Sequence, residues 1–273
     1  MTVDFKSFEL WRGPSWLTDE PVVALASGIG QASLNPKTGD AVQVYFLRAD
    51  MSPSDAVRAR DTRAICGECL HAPHRDGTCY VNPFYAAENL WQSWAAGGCP
   101  PLHRDFWPSR LGSRFLRLGA YGDPAAGPDE LSLDLAAAAD GHAGYTHAWR
   151  DRPALRTVCM ASVSGEAELA EAEAEGWRGF QVLAMDHRNL RYLEPVPAGS
   201  VACGASVERG KRTTCAACRA CGGTSSKARA SIVVGAHGRS AGKLAALRGL
   251  GRTAARSGMM QCMFRHGASV PDA

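Results

Sequence analysis

Apolar and polar positions along the chain fall into two rhythms. Residues 41–47 (AVQVYFL) alternate and are rich in β-branched and aromatic side chains, which predicts a strand. Ser52, ahead of Pro53, reads as the cap of a short helix reaching Arg60, and residues 83–95 (PFYAAENLWQSWA) carry aromatics at helical spacing. Those aromatics are expected to pack in the core. From Arg114 onward strand-like and helix-like segments alternate. Strands are expected at 115–121, 144–149, 157–163, 179–184, 191–194 and 231–236, with helices at 129–139 and 164–176. This order implies a parallel sheet with right-handed crossovers, hence an α/β fold in the form of a partial or irregular TIM-like (βα) barrel with cysteine-rich metal-binding loops. Residues 1–40 mix Trp11, Trp16, Gly28, Gly30 and Pro36 without a sustained period and are expected to form a lead-in. The barrel-like domain is assigned to 41–238 and a basic tail to 239–273. The stretch 240–257 is helix-like, weakened by Gly242, Gly249 and Gly251.

Composition narrows the class. The 273 residues are 45% hydrophobic and 21% charged, an ordinary globular balance. No apolar run approaches the length of a membrane span, and the N-terminus lacks a basic region followed by an apolar stretch. Ten cysteines without such a leader point to a reducing cytoplasm and to metal ligation rather than disulfides. Charge is uneven: residues 227–273 hold eight Lys or Arg and one acidic residue, Asp272. This tail could meet nucleotide or nucleic acid, or serve only as a solvated helix.

Seven of the cysteines form two groups. In CGASVERGKRTTCAACRAC, Cys203, Cys215, Cys218 and Cys221 follow one another at steps of twelve, three and three. Two CxxC units sharing a cysteine put three thiolates on one tight loop, with a fourth folding back from upstream, which suits a [4Fe–4S] cluster. Four thiolates also suit zinc, although zinc sites usually pair two separated knuckles. Cys66, Cys69 and Cys79 make a CxxC-x9-C triad. A triad can hold a second cluster with one iron open to a cofactor or substrate, or zinc with a fourth ligand from His71, His74 or Cys99. It can also complete a composite site with the downstream loop. Cys159 and Cys262 read as structural or incidental.

The strand ends add polar candidates. Asp123 in GAYGDP could hold a cation or hydroxyl, and His147 and Arg150 in YTHAWR could move a proton and hold a carboxylate or phosphate. His237 follows the last strand. In βα folds these ends face the ligand site. The plainer roles are a turn cap for Asp123, a hydrogen-bonded core histidine for His147 and a surface ion pair for Arg150. Dinucleotide, phosphate-loop, HExxH and GxSxG patterns are absent from the sequence.

The stretches KTGDAVQVYFLRADMSP, ICGECLHAP…GTCYVN, LRLGAYGDPAA, GYTHAWR, CMASVSG, GWRGFQV, KRTTCAACRACGG and ASIVVGAHG, spanning about residues 37–238, resemble a family of cysteine-rich proteins encoded by tailed bacteriophages and prophages. The resemblance implies a virus-encoded protein of the host cytoplasm and no particular activity. More distantly, the layout is similar to radical S-adenosylmethionine enzymes, which pair a partial barrel with a three-cysteine cubane and often an auxiliary cluster. Their CxxxCxxC is replaced here by CxxC-x9-C. What that likeness implies is a redox or radical enzyme, with S-adenosylmethionine at the triad and an electron donor as partner. The other reading is a non-catalytic zinc protein that binds nucleic acid or a host factor. A third is an electron carrier or redox sensor.

Overall fold

A computed structural model of the chain describes residues 5–250, apart from His187 and Arg239. Its strands are β1 (Ser7–Pro14), β2 (Pro21–Ser27), β3 (Ala41–Arg48), β4 (Phe115–Arg117), β5 (His142–Ala143), β6 (Tyr145–Thr146), β7 (Met160–Val163), β8 (Gly179–Leu183), β9 (Met185–Asp186), β10 (Arg191–Tyr192), β11 (Ser200–Ala202) and β12 (Ser231–Gly235). Its helices are α1 (Pro53–Arg58), α2 (Arg63–Cys66), α3 (Glu88–Ala95), α4 (Trp107–Leu111), α5 (Asp129–Ala138), α6 (Glu166–Ala174), α7 (Cys215–Cys218) and α8 (Ala241–Leu247).

One five-stranded sheet runs β1-β2-β3-β4-β5 and another β11-β12-β8-β7-β6, with β9 and β10 a separate ribbon. From β3 to β5, and from β6 to β11, every pairing is parallel. β5 and β6 are separated by Gly144 alone, so one short segment belongs to both sheets. A side chain at Gly144 would crowd the Val158 carbonyl (2.9 Å) and Cys159 Sγ (2.7 Å), which keeps the position bare. The chain is thus a mixed α/β protein with a parallel sheet.

The period-2 pattern sorts the strand residues by face. Val42, Val44, Phe46, Leu116 and Leu118 join the main core with Leu131 and Leu135 of α5 and Leu169 and Ala172 of α6. Each large side chain removed from water there is worth about 2–3 kcal/mol. Alternate residues face the other way: Phe115 and Ala143 form one small cluster, and Met160, Phe180, Ile232 and Val234 another. That second face carries the downstream cysteine loop, whereas Cys66 packs against the main core.

Three segments differ from the sequence expectation. The lead-in is not a wrap: β1 and β2 form an antiparallel hairpin on β3, and Val22 to Ala26 are fully buried. A register shift between Glu9 and Trp11 breaks the alternation of β1, and β2 is a continuous apolar run, so neither shows a clean period. The strand expected over 115–121 stops at Arg117, because Gly119 and Gly122 turn the chain at φ of 65° and 81°. The helix expected over 83–95 is a π turn, Pro83–Ala87, capped by Asn82 and followed by α3; its Trp91 and Trp94 pack on the core, while Phe84 and Tyr85 are exposed. Of the expected 240–257 helix, α8 ends at Leu247 and Gly249 turns the chain at φ 68°; residues 251–273, Cys262 among them, lie outside the described residues. No described helix is long and apolar enough to cross a membrane.

Candidate functional site

The downstream cysteine loop is fastened to the sheet by backbone hydrogen bonds. Cys203 follows β11 and donates its N–H to the Val233 carbonyl of β12 (2.8 Å). Cys215 and Ala216 donate to the Lys37 and Thr38 carbonyls just ahead of β3 (2.9 and 3.0 Å), and Gly144 donates to the Cys221 carbonyl (3.1 Å). Thr214 caps α7 through the Ala217 N–H, and Arg219, at φ 54°, turns the chain left-handed so that Cys221 doubles back. The buried Arg178 guanidinium donates to the carbonyls of Ala220, Gly223, Arg229 and Ala230 (2.6–3.3 Å), locking the far side of the loop. Cys203, Cys215, Cys218 and Cys221 consequently wall one cavity of about 90 Å³.

The triad is built from a different device. α2 ends at Cys66, Gly67 turns at φ 52°, and the Cys69 N–H returns to the Cys66 carbonyl (3.1 Å). His74 uses both ring nitrogens on this loop, one with the Thr62 hydroxyl (2.8 Å) and one with the Gly67 carbonyl (3.0 Å). It is therefore a strut of the loop. Cys79 is drawn in by its N–H bond to the His71 carbonyl (2.9 Å). Cys66, Cys69 and Cys79 line a second cavity of about 120 Å³, together with His71, Tyr121, Asp123 and His147. Cys99 packs in the main core beside Ser93 and lines neither cavity.

The two cavities share walls. Tyr80, Arg117, Tyr145 and Phe180 line both. Tyr145 lies on Phe180 (centroids 4.2 Å apart), and Tyr80 lies on His237 (4.5 Å). The loop 215–221 packs on Ala41, Phe115 and Ala143, near the starts of β3, β4 and β5. The triad cavity instead takes Gly119, Asp123 and His147 beyond the ends of β4 and β6. The two cysteine groups thus lie at different levels along the strands, with an aromatic and arginine partition between them.

Electrostatics separate them further. Burial pushes the thiols of Cys66, Cys69 and Cys79 well up, and neighbouring thiols add to it at Cys66 and Cys69. At the other group burial raises Cys203 and Cys215, while Lys37 and, for Cys215, Arg117 pull the other way. Cys221, raised to about 12 chiefly by burial, shares a hydrogen bond with Tyr145. Burial also lowers His71 and His147 to about 4, so both rings are neutral near pH 7; their centroids stand 6.0 Å apart.

The polar candidates divide. Asp123 is buried and committed to backbone: its carboxylate accepts the N–H groups of Ala125 (2.9 Å) and His147 (2.7 Å). His147 and His237 both reach the site, one in each cavity, and His237 Nδ1 meets the Gly235 carbonyl at 3.1 Å. Arg150 reaches neither cavity. It is a surface group forked onto Glu168 and Glu171 and laid over Trp149. It falls four residues past the end of the two-residue strand β6 and pairs with carboxylates of α6.

Lys37, Arg117, Tyr80 and Tyr121 are the residues that sequence reasoning passed over. Arg117 carried a readable signal, a cation alternating into the apolar strand FLRLGAY on the face opposite Leu116 and Leu118. Tyr121 is 5% exposed, lines the triad cavity, and its hydroxyl has no hydrogen-bond partner among the described residues.

Among the described residues, no three His, Cys, Asp or Glu side chains close on a point where a single metal ion would sit. Four thiols line one cavity and three the next, and thiolates are soft donors that a zinc ion or an iron–sulfur cluster would take. No protein-family model, curated protein or solved structure matches the chain.

Proposed function

We propose that the protein is an iron–sulfur redox enzyme with two [4Fe–4S] sites at different levels along the strands of a sheet that curls toward a partial barrel. The observation that carries this reading is the pair of cysteine-walled cavities meeting at one partition. Cys203, Cys215, Cys218 and Cys221 would complete a cluster's four thiolates, and Cys66, Cys69 and Cys79 would hold a second with one iron open. Thiols spread around a cavity suit a cluster, whose ligands bind separate irons, better than one zinc ion, whose ligands converge on a point. The clusters would supply one-electron chemistry or polarise a ligand at the open iron, with S-adenosylmethionine a candidate there.

The chain's own residues define what else the triad cavity can hold. Arg117 has no carboxylate partner among the described residues, and Tyr121 presents a spare hydroxyl. The neutral imidazoles of His71 and His147 can give or take a hydrogen bond without adding charge. A small anionic substrate, of which a nucleotide is one, fits that set, its carboxylate or phosphate on the Arg117 fork. His147 is the group placed to move a proton. Asp123 positions His147 through its backbone N–H and does not itself reach outward.

Anaerobic purification with iron, sulfide and zinc counted per chain tests this. About eight irons with matching sulfide is the expected result. Zinc without sulfide would overturn the enzyme reading and favour a zinc-stabilised binding protein.

A further inference from the structure

The loop that carries the four-cysteine group also has an outer surface. Cys218 is the single exposed cysteine among those described, at the end of α7. On the same loop and the segment after it, Arg209, Lys211, Arg212, Lys227 and Arg229 are all exposed. The loop's own folding gathers them. The Arg212 N–H bonds the Gly204 carbonyl, the Ser226 hydroxyl bonds the Arg219 carbonyl, and Arg178 ties residue 220 to residues 229 and 230. Of this loop's surface cations only Arg219 has a carboxylate partner among the described residues, Asp140 at 2.7 Å. The one acidic residue between 203 and 230, Glu208, is turned inward onto the Gly235 N–H (2.6 Å) and the Tyr192 hydroxyl (2.9 Å). Val201 and Val207 add exposed apolar surface beside the cations.

We propose that this basic rim around Cys218 docks a small acidic one-electron carrier protein and passes its electron inward through the four-cysteine site. The inference rests on the cluster reading above and adds the partner. Charges of one sign around a point where a buried redox group reaches the surface steer an oppositely charged partner to that point. The rim holds no exposed aromatic side chain, so it lacks the stacking platform that single-stranded nucleic acid uses. The step moves one electron and no atoms: the reduced carrier is oxidised, and the four-cysteine cluster goes from the 2+ to the 1+ state. Beyond it, the Tyr80, Tyr145 and Phe180 partition is the short way to the triad.

The test uses the full chain with its metal loaded anaerobically and a reduced plant-type [2Fe–2S] ferredoxin as the acidic probe. Stopped-flow reduction by ferredoxin is expected to slow about tenfold or more between low and high salt. A comparable loss is expected in Lys211→Glu/Arg212→Glu, with Lys227→Glu/Arg229→Glu as an independent pair. Iron content and the rate with dithionite should be unchanged in any variant used. Zero-length carbodiimide coupling should join Lys211 or Lys227 to the carrier, as read by peptide mass spectrometry. Ferredoxin rates indifferent to salt and to both charge reversals, beside normal dithionite reduction, would overturn the docking proposal and leave the cluster reading standing. Charge reversals that abolish binding of a DNA oligonucleotide while sparing the ferredoxin rate would reassign the rim to nucleic acid. A protein with no dithionite-reducible cluster would bring down both readings.

Discussion

Around Cys203, Cys215, Cys218 and Cys221 the surroundings are cationic and partly open: Lys37 and Arg117 lie inside, Cys218 is exposed, and the outer rim is basic. Around Cys66, Cys69 and Cys79 Arg117 lines the cavity too, and the other polar groups are two uncharged imidazoles, a tyrosine hydroxyl without a hydrogen-bond partner among the described residues and a carboxylate already bound to backbone. A cluster with four thiolates carries net negative charge, and cations beside it offset the cost of burying that charge. A cavity with three thiols, two neutral imidazoles and one guanidinium would instead leave room for a further, anionic ligand. On the proposed reading, the same element arranged on two loops would serve two tasks, exchange with the outside and chemistry within.

The sharpest way to separate the two regions is to remove one thiol from each. Cys221→Ala is expected to cut iron from about eight to about four per chain, and to loosen the 203–230 loop. Cys79→Ala should remove the other half and leave the first group's visible spectrum in place. If either variant keeps its full iron content, the corresponding site is misassigned.

Next in size is Asp123→Ala. It strips the acceptor from two buried backbone N–H groups and should lower unfolding stability by about 2–4 kcal/mol in a denaturant titration. Lost turnover at unchanged stability would make Asp123 a chemical group after all.

A pH titration probes the triad cavity in the metal-free protein. Burial lowers His147 to about 4, so between pH 6.5 and 4 the unfolded chain takes a proton that the folded chain refuses. Stability is therefore complete above about pH 6.5 and falls as pH drops toward 4, by about 3 kcal/mol for this ring. His147→Phe should flatten part of that slope; an unchanged slope would mean the ring is solvated. Smallest is Arg150→Ala, whose exposed pairs should contribute less than about 1 kcal/mol and nothing to metal content.

Most of the body was legible in the chain itself. The alternation of 41–47 gives β3, Ser52 does cap α1, and the strand–helix rhythm after Arg114 yields the parallel sheet. Local periodicity suffices there because each element buries one regular face. It failed at β1 and β2, where a bulge and a fully buried run erase the period. It also left Asp123, His147 and Arg150 as one group, since strand-end position says nothing about which way a side chain turns.

What the sequence determined by itself is therefore the cysteine spacing, and with it the two thiol-bearing loops, because tight turns and thiolate chemistry are local properties. Only the tertiary structure decided that these loops meet at one partition, that Arg117 and three aromatics form it, and that Arg150 lies outside. Those facts depend on parallel pairings between strands far apart in the chain, such as β8 with β12. A pairing partner is chosen by the burial of the whole sheet, and no short stretch of residues carries that information.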